Sequence, residues 1–392
     1  MKKIEKIIFE ISNGWARDYN SIQKNSTHRQ FLGNFLSILS LKEIPISVIS
    51  TNFPSYGEER IEFKNHLTFS FHSYENKTNT WSYKESPIVN KYSIDKSGYC
   101  GWSDITINFD NYRDQINSIS IQNAEKIISA QYNKFLSTKL SKYEQNNNIE
   151  KLPERYVFFP LQVVNDSAAK HANLDMIEVI EYISKLASDL KFNVVIKRHP
   201  LCPSSAIKNL LKIIQIENKY IQLSDSNVHD LIKNSHSVIS CNSGVSLEAL
   251  IANKAVYCFG KSEWYEASNK INNLSDINKV FSNELTYMND FQKKIVAFLL
   301  SEYWCDFNDL NKIERIIDNC IATFKANSGT PNNSSEIELI IKQQLDLQSK
   351  LSDLERNNKL LKIESNRLKE INKKLRNNPI IIIKMLLKKL LH

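Results

Sequence analysis

No run of 18 apolar residues occurs anywhere in the 392 residues, so no transmembrane helix is expected. The six cysteines (Cys100, Cys202, Cys241, Cys258, Cys305 and Cys320) form no CxxC pair and no zinc-like spacing, which points to reduced thiols in a reducing compartment. Glycine is scarce, with eight in the chain, while hydrophobic residues make up 42%, enough to bury a core over most of the length. The opening stretch MKKIEKIIFEISNGW interrupts its short apolar run with charges, so it is read as mature sequence and not as a secretory leader. No DxD and no cluster of metal-ligand residues stands out, and no metal or other cofactor is expected. Asp104 and Asp110 read as solvated loop acids. The basic surplus is also missing from most of the chain. Residues 331–392 hold 13 Lys/Arg against 7 Asp/Glu, which leaves about +2 of the net +8 for everything before them. A nucleic-acid-binding face on the globular part is therefore not expected.

What is present is an α/β rhythm. Short strands are expected at 46–50 (ISVIS) and 67–71 (LTFSF), and a helix over 120–147 ending in a polar stretch that marks a domain boundary. Beyond it, strands at 156–160, 193–197, 220–223, 237–240 and 255–259 alternate with helices at 174–190, 206–216, 228–234 and 245–251, which implies a parallel sheet. Helices at 290–300 and 309–324 close this part, and 327–335 (NSGTPNNSS) is a linker. The expected organisation is an N-terminal domain 1–150, a second domain 151–326, a coiled coil 336–376 and an amphipathic helix 377–392. The coil rests on Ile340, Leu347, Leu354, Leu361, Leu368 and Leu375 at seven-residue spacing. Asn358 and Asn372 at the companion positions favour a parallel dimer over a trimer. The plain alternative is a single helix packed on the chain's own domain. The end, NNPIIIIKMLLKKLLH, is apolar and basic and reads as an interfacial anchor for an anionic membrane surface.

Three segments at strand ends carry candidate chemistry, since ligands of parallel sheets sit past the carboxyl ends of strands and near helix N-termini. Gln162 to Ser167 brings Asp166, a carboxylate able to serve as base or nucleophile on an anomeric carbon; a helix N-cap is the plain alternative. Lys197, Arg198, His199 and Pro200 offer phosphate neutralisation and an imidazole for a leaving phosphate; the plain alternative is a solvated turn. Asn242, Ser243 and Gly244 open a helix whose N–H groups suit an anion, with Glu248 in reach of a ribose hydroxyl; capping alone is the alternative.

In order, FFPLQVVNDS (158–167), VVIKRHPL (194–201) and SVISCNSGVSLEALIANKAVYCFGKSEWY (237–265) resemble the bacterial capsule and O-antigen β-Kdo glycosyltransferases, which transfer 3-deoxy-manno-oct-2-ulosonic acid (Kdo) from CMP-Kdo. The stretch 72–105 resembles the acceptor-side region of such modules, with a GYxGWS element at Gly98, Tyr99, Gly101, Trp102 and Ser103. One departure is Asn253, where the family usually has glycine; asparagine also tolerates the left-handed conformation. The resemblance implies a GT-B-like α/β fold of two Rossmann-like domains and a retaining transfer to a lipid-linked surface polysaccharide. It implies Asp166 as nucleophile with His199 assisting; Gln162, Lys197, Arg198, His199, Pro200, Asn242, Ser243, Gly244 and Glu248 on the donor side; and His72, Asp95, Tyr99, Trp102 and Ser103 on the acceptor side. The expected location is the cytoplasmic face of the inner membrane. A transferase using another nucleotide sugar or CDP-glycerol, and a non-catalytic coiled-coil scaffold, remain as alternatives.

Overall fold

Two six-stranded sheets organise the chain. The computed structural model describes residues 4–12, 26–51, 65–143, 145, 150–164 and 166–325, together with 354, 358, 361–370 and 373. In chain order the described strands are β1 Lys6–Ser12, β2 Ile46–Thr51, β3 His66–Phe71, β4 Thr80–Glu85, β5 Lys91–Asp95, β6 Tyr156–Pro160, β7 Asn193–Lys197, β8 Ile221–Leu223, β9 Ser237–Ser240, β10 Val256–Cys258, β11 Asn269–Lys270 and β12 Cys305–Asp306. The longer helices are α1 Ser26–Ser40, α2 Ile121–Thr138, α3 Met176–Asp189, α4 Ser205–Glu217, α5 Val228–Asn234, α6 Gly244–Ile251, α7 Asp290–Phe298 and α8 Leu310–Ala322. The chain divides into two units. The first is Met1–Arg113 with Leu299–Asn357, and the second is Asp114–Phe298 with Asn358–His392.

The first unit holds a mixed sheet in the order β12-β5-β4-β3-β1-β2. Strands β2, β1, β3 and β4 are parallel, while β4 and β5 are antiparallel, as are β5 and β12. This is a departure from a Rossmann-like sheet at one edge. The β4–β5 connection, residues 86–90, is too short for the crossover that parallel neighbours need. The sheet packs against helices from opposite ends of the sequence. Ile7, Phe9, Leu67 and Phe69 share one core with Phe31, Phe35 and Leu39 of α1 and with Ile313, Ile317 and Cys320 of α8. Phe31 stacks on Tyr92 with centroids 3.9 Å apart, and Lys42 after α1 pairs with Glu314 and Asp318 on α8, each at 2.7 Å.

Two boundary expectations are corrected here. The helix α8 was expected in the second domain, which ran to 326, yet its apolar stripe lies in the first unit's core. Conversely α2, expected in the first domain, belongs to the second unit, where it packs with α7 and Glu125 pairs with Lys293 at 2.8 Å. It is also shorter than 120–147: Lys139 turns left-handed (φ 50) and closes the helix with its N–H on the Phe135 carbonyl.

The second unit's sheet is parallel throughout, in the order β11-β10-β9-β6-β7-β8. Every residue of the strand YVFFP is buried, so alternate residues serve different layers. Val157 and Phe159 join Val194, Ile196 and Ile239 under α3 and α4, which contribute Val179, Ile180, Ile183, Leu210 and Leu211. Each helix start has a side-chain cap: Asp175 for α3, Ser204 for α4, Asn227 for α5 and Ser243 for α6. Asn253 does adopt the left-handed conformation, with φ 54. All six cysteines are free and buried. No helix among the described residues is long and apolar enough to cross a membrane.

Most of the expected coil and linker, and the whole of the terminal helix 377–392, lie outside the described residues. Residues 361–370 are helical. Leu361 is 67% exposed, while Leu368 packs against the second unit's core. For Leu368 the alternative of packing on the chain's own domain is therefore the observed one.

Candidate active site

The second sheet places the three motif segments side by side. From β6 the chain moves outward through β7 and β8, then returns to the other side of β6 and moves outward through β9, β10 and β11. The order thus reverses between β6 and β9, and ligands of open parallel sheets bind past the strand ends at such a reversal. The segment after β6 carries Gln162 and Asp166, that after its neighbour β7 carries Lys197 to Pro200, and that after its other neighbour β9 carries Asn242 to Gly244.

Asn242 ties the loop after β9 to those after β6 and β10. Its buried amide donates to the carbonyls of Ala168 (2.7 Å) and Lys261 (3.1 Å), and its Oδ1 accepts from Gln162 Nε2 at 3.2 Å. Asn242 and Gln162 thereby fix the loop that presents Asp166. Asp166 is partly exposed at the start of a short 3-10 turn, Ser167–His171, and its Oδ1 accepts the Ser167 N–H at 2.8 Å. One carboxylate oxygen, Oδ1, accounts for the cap. Ser243 caps α6 in the same way, accepting the Val245 N–H at 3.4 Å, and Gly244 is the first helical residue.

His199 sits in a turn within electrostatic reach of Asp166. Burial pushes its imidazole down to about 4, opposed by the Asp166 carboxylate and assisted by Lys142. Its Nδ1 accepts the Leu201 N–H at 3.1 Å, so the neutral ring carries its proton on Nε2. Tyr143 meets the ring edge-on at 4.8 Å. At neutral pH this histidine is an uncharged hydrogen-bond donor, not an imidazolium acid. Pro200 follows in the same turn. The two cations beside it are used differently from the phosphate contact expected of them. Lys197 Nζ donates to the carbonyls of Asp225 (2.9 Å) and Ser226 (2.8 Å), and burial lowers its pKa. Arg198 donates to the carbonyls of Cys202 and Ser204. Both hold loops.

Glu248 lies deeper than a residue open to a ribose. It is 3% exposed on α6, accepts from Ser141 Oγ at 2.7 Å, and has Oε2 3.7 Å from His229 Nδ1. That distance is too long for a hydrogen bond. Burial raises the Glu248 carboxyl to about 8, with the Ser141 bond opposing, and burial lowers His229. The two directions favour a neutral pair over an ion pair. A sign follows for stability. Below about pH 4.5 the carboxyl is protonated in both folded and unfolded chains; from there to about 8 only the unfolded chain loses its proton. Stability should fall as pH rises through that window and level off above it. Urea unfolding of Glu248→Gln between pH 5 and 9 should show a shallower fall than the parent; an identical slope would count against a buried neutral acid. Ser141 and His229 were not singled out from sequence, since nothing in their spacing ties them to Glu248.

In the first unit the residues expected on the acceptor side form one cluster. Asp95, 3% exposed, accepts the N–H groups of Ser97 (2.7 Å), Gly98 (2.8 Å) and Asp104 (3.0 Å) and the Tyr303 hydroxyl. Burial raises its pKa against those bonds. Gly98 has φ 155, and a Cβ there would lie 2.9 Å from the Cβ atoms of both Trp102 and Tyr74, so only glycine fits. Trp102 stacks on Tyr74 at 3.9 Å, and Tyr99 meets Trp102 edge-on. His72 follows β3 in a left-handed conformation (φ 52), with its ring 4.6 Å from Tyr99. Lys84, at the end of β4, contacts His72 Nε2 and lies 4.2 Å above the Tyr99 ring. Ser103 Oγ bonds the Cys100 carbonyl (2.8 Å) and Thr106 Oγ1 (2.7 Å). Asp104 is buried, not the solvated loop acid expected: it receives the Tyr112 hydroxyl at 2.6 Å and Asn108 Nδ2 at 2.8 Å. Lys84 and Tyr303 were missed from sequence. Tyr303 lies some 200 residues from Asp95, so nothing local in the sequence pointed to it. Among the described residues no three His, Cys, Asp or Glu side chains gather as a metal site.

Known structures similar to this chain include two from Thermosulfurimonas dismutans. KpsC, beta Kdo 2,7 transferase, is 13% identical with a TM-score of 0.44, covering 80% of this chain and 99% of that one. KpsC, beta Kdo 2,4 transferase, is 12% identical with a TM-score of 0.41 over the same shares. An S. aureus MnaA–UDP structure is 10% identical with a TM-score of 0.33, covering 83% of this chain and 100% of that one. No curated protein matches the sequence significantly. Residues 90–270, which hold the three strand-end motifs and the GYxGWS element, match the model of the family described as capsule polysaccharide biosynthesis protein.

Proposed function

We propose that the protein is a capsule-type glycosyltransferase that transfers Kdo from CMP-Kdo, with retention, to a lipid-linked surface polysaccharide. The observation that carries this is that Asp166 and His199 lie on the loops past two adjacent parallel strands, within electrostatic reach of each other, with the Asp166 loop tied by Gln162 to Asn242 beyond the reversal. The family match over 90–270 supports the transferase class, and the motif resemblance supports the donor. In the proposed reaction an Asp166 oxygen attacks the anomeric carbon as its bond to the CMP phosphate oxygen breaks. CMP leaves with that electron pair, and a glycosyl ester forms on Asp166. The acceptor hydroxyl then attacks the same carbon from the opposite face, loses its proton to a base, and frees Asp166. Two inversions give net retention. Neutral His199, with hydrogen on Nε2, donates to the departing phosphate. The Ser243 N-terminus of α6 faces the same charge with its N–H groups. The cluster of His72, Asp95, Tyr99, Trp102 and Ser103 takes the acceptor. The catalyst works at the cytoplasmic face of the membrane, held by the terminal helix 377–392 and paired through the coil.

The test is a donor screen: CMP-Kdo, CDP-glycerol and UDP-sugars, each with lipid-linked glycan mimics, read by mass spectrometry. CMP-Kdo alone should give transfer; turnover of another donor in its place would reject the assignment. In calorimetry, His199→Ala should weaken CMP binding about tenfold or more, since a hydrogen bond to a charged group contributes roughly 1.5–3 kcal/mol. Unchanged affinity would move the phosphate elsewhere.

A further inference from the structure

The C-terminal helical segment 361–370 makes its own set of contacts on the second unit. Glu364 reaches the start of α4. Its Oε1 accepts from Ser205 Oγ (2.7 Å) and the Ala206 N–H (2.8 Å), and its Oε2 accepts from Ser204 Oγ (2.9 Å). Burial alone would raise this carboxyl, but the bonds from Ser205, Ala206 and Ser204 hold it below its ordinary value. One turn on, Arg367 pairs with Asp175 at 3.3 Å, the cap of α3, and Leu368 packs against the core. Glu364, Arg367 and Leu368 are spaced three and four apart, so they share one helix face. The three contacts are of different kinds and act on two helix starts.

The start of α4 is also the end of the turn that carries His199. Ser204 caps α4 by accepting the Ile207 N–H, and its carbonyl accepts from Arg198. Arg198 also bonds the Cys202 carbonyl, and the Cys202 N–H returns to the His199 carbonyl at 3.0 Å. A continuous chain of hydrogen bonds therefore runs from Glu364 through Ser204 to Arg198, and from Cys202 back to His199. We infer that the segment 361–370 is a strap that positions the 198–204 turn, with Glu364 as its positioning residue and the start of α4 as its docking point. The link from turn to donor rests on the reading of His199 as the donor-phosphate contact; the strap itself does not. In heptad terms the docked Leu368 is a coil leucine turned to its own domain, whereas Leu361 and Leu354, 67% and 61% exposed, are left for another partner. The strap thus ties one end of any coil to the donor-side turn.

The test is hydrogen exchange and CMP titration on the full-length chain, comparing Glu364→Ala, Glu364→Asp and the parent. In Glu364→Ala the amides over 199–207 should exchange about tenfold faster or more, the loss expected of a charge-assisted bond. Amides in β6 and β9 should be unchanged, which excludes general unfolding. Glu364→Asp should recover part of the protection, which a merely space-filling side chain would not. The CMP dissociation constant should rise for Glu364→Ala and partly return for Glu364→Asp. Unaltered exchange over 199–207 in Glu364→Ala would overturn the strap. Faster exchange with unaltered CMP affinity would uphold the strap and instead reject His199 as the phosphate contact.

Discussion

Asp166→Asn should reduce transfer by about 10⁴-fold or more while leaving the fold in place, because losing a nucleophile removes the reaction path and not merely a contact. The substitution separates the observed cap from the proposed nucleophile. As a cap, Asp166 accepts the Ser167 N–H through Oδ1. Asparagine caps nearly as well as aspartate, so thermal unfolding should shift little. As a nucleophile, Asp166 must form an ester, and the amide cannot. CMP binding should survive, since no negative charge is needed to hold it. Incubated with CMP-Kdo and no acceptor, the parent should yield a peptide containing residue 166 with the added mass of one sugar, and Asp166→Asn should not. A variant retaining a tenth of the parent's transfer would rule out the assignment.

A chain ending at Phe298 should have no folded first unit. The truncation removes β12, which pairs with β5, and α8, which supplies Ile313, Ile317 and Cys320 to the core around Phe9, Phe31 and Phe35. Each large apolar side chain deleted from a core costs about 2–5 kcal/mol, so losing a whole helix exceeds the total stability of an ordinary domain. Ile317→Ala gives the graded form, with a loss of about 2–5 kcal/mol. Hydrogen exchange reads both: amides in β1 and β3 should lose protection first, and those in β6 and β7 least. If truncation left β1 and β3 protected, the assignment of α8 to the first unit's core would be wrong.

These predictions draw on different levels of information. The second unit's strands and helices could be read from local pattern. YVFFP, NVVIK and SVIS are short apolar runs bounded by polar turns, and each helix after them begins at a capping residue. Asn253 was readable as a left-handed turn because few residues tolerate that conformation. The strand-end motifs named Gln162, Asp166, His199 and Asn242 before any fold was known. Only the tertiary structure decided whose core α8 enters. Its apolar stripe shows that it must bury a face, but an amphipathic pattern carries no address, and the partner residues lie near the other end of the sequence. The same holds for Glu248. A glutamate in a helix reads as exposed or ligand-facing until Ser141 and His229 close around it, and burial, not sequence, makes it neutral. Lys197 and Arg198 looked like phosphate ligands by type, yet they donate to loop carbonyls, including those of buried Ser226 and Ser204, because a buried carbonyl needs a donor wherever the fold places it. In the second unit the sequence by itself determined which segments are strand, helix and turn, while among the first unit's strands it marked only β2 and β3. Which of those segments meet, and therefore which charges are neutral and which are held by loop carbonyls, was decided by packing between residues the chain keeps far apart.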